Sequence, residues 1–140
     1  MNYFLKGGGM DEAWLACSAG TMASAGQRAS EFAVKAMSEF GIDISGHRSS
    51  ALSDWDPPDG TAFFGMAYPH KRELERVFPG RLSSIFLLGE AAGFTERNKD
   101  EEVPDPYGFS MASYRQTAGR IREMTRSLYS SLLKNPGFLP

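Results

Sequence analysis

Cysteine is all but missing from this chain: Cys17 stands alone among 140 residues, so no internal disulfide can form. His47 and His70 are the two histidines. With Cys17 they are too few and too scattered for any metal-ligand spacing, and neither a metal nor another cofactor is expected. An excess of either charge is lacking as well. Lys and Arg number 15 against 17 Asp and Glu, a net charge of −2, which gives no electrostatic case for a nucleic-acid partner. No apolar run approaches the ~20 residues that cross a bilayer, so no membrane association is expected. The N-terminus also lacks the charged-then-apolar layout of a secretory signal. A cytoplasmic protein is the default. Internal repeats and low-complexity tracts are absent too.

What is present is ordinary globular material, 41% hydrophobic and 23% charged. The expectation is one domain over residues 1–140, large enough for a real core. Met1–Lys6 reads as the end of a helix stopped by Gly7-Gly8-Gly9, with no N-cap before its first apolar residue. Trp14-Leu15-Ala16-Cys17 is a short apolar run that fits a buried strand, with Cys17 as a core residue. In Ser30–Phe40, Phe32, Ala33, Ala36, Met37 and Phe40 recur at helical spacing, with Ser30 as N-cap and Gly41 as the stop. Asp54–Gly60 is a loop by composition. Thr61–Ala67 reads as a strand, Pro69–Phe78 as a helix and Ser84–Leu88 as a second buried strand. Glu90–Glu102 reads as a polar connection. The last helix carries Met111, Tyr114, Ala118, Ile121, Thr125, Leu128 and Leu132 in one continuous stripe behind Ser110. The alternation predicts an α/β fold, an open parallel sheet with helices on both faces. In such sheets a ligand sits beyond the carboxyl ends of the strands.

The stretch with most chemistry in it is Val103-Pro104-Asp105-Pro106-Tyr107-Gly108. The prolines fix their own φ and push the residues before them toward extended conformations. Asp105 is therefore held on a stiff loop. A carboxylate held this way can give a proton to a leaving group at a set distance. It can equally be a turn or N-cap residue selected for Asx chemistry. From these residues alone both readings stand.

Three blocks together extend the reading. Trp14-x-x-x-Ser18-Ala19-Gly20-Thr21, then Gly41-Ile42-Asp43-Ile44-Ser45-Gly46-His47-Arg48, then Asp105-Pro106-Tyr107-Gly108 resemble the low-molecular-weight protein tyrosine phosphatases in order and spacing. The Asp-Pro-aromatic-Gly version, followed by Ser110 and Tyr114-Arg115-Gln116-Thr117, is most similar to the bacterial branch, which includes protein-arginine phosphatases. The resemblance implies a metal-free phosphomonoesterase acting on a phosphorylated protein or a small phosphomonoester. In that family a cysteine thiolate attacks phosphorus, while backbone amides and an arginine hold the equatorial oxygens. By the same resemblance Asp105 is the general acid and base and Tyr107 lines the pocket wall. Ser18 and His47 hydrogen-bond near the phosphate loop and hold its shape. Without the resemblance Ser18 is a turn residue, His47 a loop histidine and Tyr107 a core ring.

The departure is large. The family's Cys-x5-Arg loop follows its first strand, and no such spacing occurs here: Ala23, not arginine, stands six positions after Cys17. The chain is thus expected to lack the nucleophile, the phosphate-binding arginine and the first central strand of the fold, and to be catalytically silent as written. A missing inner strand leaves unpaired backbone groups, each costing about 1–3 kcal/mol when buried, and exposed strand edges open to self-association. Met1 would then be an internal methionine under a misplaced start. The other reading is a degenerate or paralogous chain acting as a non-catalytic binding module. Arsenate reductases of this fold need several cysteines for their disulfide relay, and Cys17 alone disfavours them. Met22-Ala23-Ser24-Ala25-Gly26 carries no ring, and Gly108 replaces a second ring after Tyr107. Both imply a pocket less selective for phenyl phosphates.

Overall fold

In the computed structural model the described residues are 15–94 and 101–135, and they divide into two compact units. The reading of Met1–Lys6 as a helix end falls outside them, as does Trp14. The first unit takes residues up to Cys17, Pro57–Pro104 and the chain from Arg122 onward. Its centre is a parallel pair, β1 (Phe63–Gly65) and β2 (Ile85–Leu87), in the register Phe63↔Ile85, Phe64↔Phe86, Gly65↔Leu87. The two are joined by α2 (Tyr68–Val77), which places a helix on the sheet in the way parallel strands require. Phe63, Ile85 and Leu87 are buried, while Phe64 and Phe86 stack at 6.0 Å on the other face. Strands covered on both sides read as continuous apolar runs, which is why Phe63-Phe64 and Ile85-Phe86-Leu87 show no alternation.

Pro69 sits in the first turn of α2, where its missing N–H costs nothing. Leu74 faces inward, and Phe78 at the helix end stacks on Phe63 at 4.8 Å. The 57–59 loop is held by two side chains: Thr61 Oγ1 donates to the Pro58 carbonyl at 2.7 Å, and Arg81 supplies the rest. Arg81 donates to the Pro57 and Pro58 carbonyls and to Asp59 Oδ1, at 3.2, 2.7 and 2.9 Å.

Part of the stretch read as a polar connection is a short helix instead, α3 (Leu88–Ala91). Leu88, Gly89, Ala91 and Ala92 are buried, and Gly93 closes the turn at φ +80°. The small residues permit a close backbone approach. A Cβ built on Gly89 would lie 2.2 Å from the Glu101 carbonyl oxygen. Residues 101–103 are thereby laid against α3 and tied to the end of β1. Val103 N–H donates to the Met66 carbonyl at 2.7 Å, and the Tyr68 amide donates to Glu102 Oε1 at 2.7 Å. The Tyr68 hydroxyl donates to the Glu101 carboxylate.

The long helix α4 (Met111–Lys134) brings Met124, Leu128 and Leu132 fully into the first unit's core, with Thr125 beside them. Met124, outside the sequence stripe, is as buried as Leu128. The stripe widens there because adjacent positions 124 and 125 both turn inward.

The second unit holds Ser18–Asp56 and Asp105–Ile121. Here α1 (Glu31–Ser38) begins where expected, Ser30 Oγ accepting the Ala33 N–H. Ala36 packs with Tyr114 and Ala118, flanked by Ala33, Met37, Phe40 and Met111. Phe32, assigned to the inward face by spacing, is exposed and meets Tyr114 edge-on at 5.6 Å.

The run ending at Cys17 departs from expectation. Residues 15–19 carry no regular structure, Leu15 is 84% exposed and Cys17 is exposed. Four apolar residues have no period that reveals whether a layer covers them. No helix among the described residues is long and apolar enough to cross a membrane.

Gly89→Ala is expected to cost about 1–3 kcal/mol, because the obstacle is backbone and cannot rotate away. Urea denaturation reads the loss, and an unchanged midpoint would contradict the packing. A pH effect follows from Glu90, whose carboxyl is held below its ordinary 4.5 by the Lys71 ammonium and the Leu87 N–H. A depressed folded value means this contribution is present above 4.5 and is lost as pH falls through the folded value. Glu90→Gln should flatten that acid limb of stability, measured by thermal melts between neutral and acid pH.

Candidate active site

The second unit contains all four residues singled out by sequence: Ser18, His47, Asp105 and Tyr107. Two surface segments frame the first pair. Gly20 N–H donates to the Ser50 carbonyl at 2.9 Å, and Leu52 N–H returns to the Gly20 carbonyl at 3.0 Å, a parallel bridge with Ala51 between them. A Cβ at Gly20 would sit 2.6 Å from the Ala23 Cβ, so the tight turn after Ser18 requires glycine. Ser49 then fastens the rest. Its Oγ donates to the Ser24 carbonyl at 2.6 Å and accepts the Gln27 N–H at 2.9 Å. Its own N–H reaches the Gln27 carbonyl, and its carbonyl accepts the Gly26 N–H.

Upstream of Ser49 the 43–48 turn is shaped by Asp43, whose Oδ1 accepts the Ser45 N–H at 2.8 Å. That bond holds the Asp43 carboxyl below its usual range. His47 donates its backbone N–H to the Ile44 carbonyl, and the Arg48 guanidinium donates to the His47 and Ser45 carbonyls. His47 and Ser18 are both exposed.

Asp105 shows why its residue type suits a stiff loop. Its Oδ1 accepts the Tyr107 N–H at 3.0 Å, an Asx turn closed by its own side chain. Phe109 N–H donates to the Pro106 carbonyl at 3.0 Å, and Gly108 takes φ +79°, the left-handed region that side chains disfavour. Ser110 then caps α4, its Oγ accepting the Ser113 N–H. The cap is thus Ser110, not Asp105. Asp105 Oδ2 has no partner among the described residues, and the carboxylate is open to solvent. Tyr107 is 78% exposed, so it is no core ring.

A model of the low molecular weight phosphotyrosine protein phosphatase family matches residues 1–136. The chain belongs to that family. A probable low molecular weight protein-tyrosine-phosphatase, EpsP, of Ralstonia solanacearum is 31% identical, over 75% of this chain and 68% of its own. A protein-arginine-phosphatase of Bacillus subtilis is 30% identical, over 84% of this chain and 75% of its own. The crystal structure of a low molecular weight protein tyrosine phosphatase from T. tengcongensis superposes with a TM-score of 0.79 at 35% identity. It covers 94% of this chain and 85% of that one.

Within this family member the described residues join only Asp105 and Tyr107 directly; no hydrogen bond links either of them to Ser18 or His47. Sequence reasoning missed the role of Ser49, whose four bonds hold the 20–28 turn against the 43–52 segment. The Asp43-x-Ser45 spacing was a legible Asx-turn signal. Ser49 had none, since its partners are backbone groups more than twenty residues away.

Ser49→Ala removes both Oγ bonds, so a loss of about 1–3 kcal/mol and faster tryptic cleavage after Arg28 are expected. Gly108→Ala should cost about 1–2 kcal/mol through its positive φ. Thermal melts check both; no loss in either variant would mean the turns are not held as described.

Proposed function

We propose that these residues are the proton-transfer and pocket-wall part of a cysteinyl-phosphate phosphatase acting on phosphotyrosine or phosphoarginine in proteins. The observation carrying the reading is the Asp105 loop. One carboxylate oxygen closes the turn and the other is uncommitted, on a segment stiffened by two prolines. In the first step a thiolate attacks phosphorus, the bond to the leaving oxygen or nitrogen breaks, and Asp105 gives that atom its proton. In the second, water attacks the cysteinyl-phosphate and its proton passes to Asp105, regenerating the thiolate and releasing phosphate. Tyr107 lines the wall, and Ser18 and His47 support the phosphate loop.

Neither the thiolate nor its arginine is supplied by a Cys-x5-Arg among these 140 residues. The polypeptide by itself is therefore silent, because removing one essential member of such a unit removes nearly all activity. That same lack supports the second reading, a non-catalytic binding module on this fold, whose exposed strand edges invite self-association. The relatives divide between a probable tyrosine phosphatase and an arginine phosphatase. Met22, in the stretch without a ring, is 97% exposed. That feature favours a pocket with little preference for phenyl phosphates.

The test compares the 140-residue chain with a version extended upstream by a strand and a Cys-x5-Arg loop. The chain alone should leave p-nitrophenyl phosphate intact and the extended chain should hydrolyse it. Asp105→Asn in the extended chain should lower kcat/KM for unsubstituted phenyl phosphate on the order of 10²–10⁴-fold. Turnover by the pure 140-residue chain would sink the proposal. A strong kcat/KM preference of the extended enzyme for phosphotyrosine over phosphoarginine would overturn the pocket argument alone.

A further inference from the structure

Arg28 and Arg48 lie directly opposite each other in an antiparallel bridge on the surface of the second unit. The register is locked, since Ser49 N–H donates to the Gln27 carbonyl and Ser49 Oγ accepts the Gln27 N–H. The one ladder bond beside the pair, from Ser49 N–H to the Gln27 carbonyl, flanks it instead of joining the two arginines, the arrangement that brings opposed side chains closest. Two like charges placed so repel and lower stability. Neither guanidinium has a carboxylate within ion-pair distance among the described residues. Arg48 is also held in place, its Nη1 donating to the His47 and Ser45 carbonyls at 2.7 and 3.3 Å. Those bonds neutralise nothing and leave its other donors for an outside acceptor.

Positive charge is not in surplus here. In the second unit Arg28, Lys35, Arg48, Arg115 and Arg120 face six carboxylates, and Arg115 is already paired with Glu39. An arginine pair with no carboxylate beside it among the described residues is a local violation, the pattern expected where function imposes it. We propose that Arg28 and Arg48 form a docking site for an acidic peptide segment, each guanidinium taking a carboxylate through paired N–H donors. Two adjacent arginines match two carboxylates of a short peptide, whereas the continuous phosphates of a nucleic acid need more basic groups than the second unit's five, set among six carboxylates, supply. The proposal is separate from the chemistry at Asp105 and would serve an enzyme acting on proteins or a non-catalytic module equally.

Binding can be measured on the 140-residue chain, without the nucleophile, by anisotropy of a fluorescein-labelled oligoglutamate at low salt. Oligoglutamate should bind and oligoglutamine should not. Affinity should fall with added salt, and by roughly tenfold in each of Arg28→Gln and Arg48→Gln. Arg28→Glu, which puts an opposite charge across from Arg48, should abolish binding yet melt above the parent. No binding by the parent, equal binding by the glutamine variants, or tighter binding of an oligothymidylate would overturn the proposal. So would an Arg28→Glu variant that melts lower or fails to fold. The binding measurement uses only the 140-residue chain and the turnover measurement only the extended chain, so the two proposals fail separately.

Discussion

The hydrogen bond from the Tyr107 amide to Asp105 Oδ1 is the constraint around which the candidate site is arranged. It leaves the carboxylate with one structural oxygen and one without a partner among the described residues. The structural oxygen closes the turn, lets Gly108 reverse the chain at positive φ, and delivers Ser110 to the first turn of α4 as its cap. The other oxygen stays uncommitted and in solvent. Turn residue and proton donor were competing readings of the same sequence. The geometry shows that the first role is real and that it leaves room for the second.

Within the first unit, the segment ending at Pro104 is itself held at a fixed point. Val103 is buried and bonded to the Met66 carbonyl just past β1, and residues 101–102 hold Tyr68 at the start of α2. None of this works unless position 89 is glycine, since the Glu101 backbone occupies the space a Cβ would need. Gly20 makes a comparable close approach in the second unit, against Ala23. In both units, then, a glycine allows a close approach, to the Glu101 backbone in the first and to the Ala23 side chain in the second, and the backbone bonds around them carry the loops. The half-exposed ion pairs, such as Arg115 with Glu39, add little beside this.

Legibility from sequence followed the range of each interaction. Local periodicity and capping were readable, so α1 with Ser30, α2 with Pro69 and α4 with Ser110 appear where the residues place them. The parallel pair was readable because Phe63-Phe64 and Ile85-Phe86-Leu87 are apolar runs of strand length. The short helix at Leu88–Ala91 was not, because its residues are inward for reasons that lie at Glu101. The run ending at Cys17 was misread as core, since four apolar residues cannot report what lies over them. Asp105 and Tyr107 stood out by their prolines and ring, whereas Ser49 and the Arg28–Arg48 bridge exist only once distant segments meet.

The most direct test of the central claim uses the dependence of rate on leaving group. Asparagine at position 105 keeps an oxygen for the Tyr107 amide and removes only the proton. In the upstream-extended enzyme, Asp105→Asn should slow an alkyl or unsubstituted phenyl phosphate far more than p-nitrophenyl phosphate, whose leaving group departs without protonation. The slope of log kcat/KM, which reports only the steps up to loss of the leaving group, against leaving-group pKa should steepen accordingly. An equal loss of kcat/KM on all leaving groups would mean that Asp105 serves the turn and does not protonate the leaving group, contradicting the proposal.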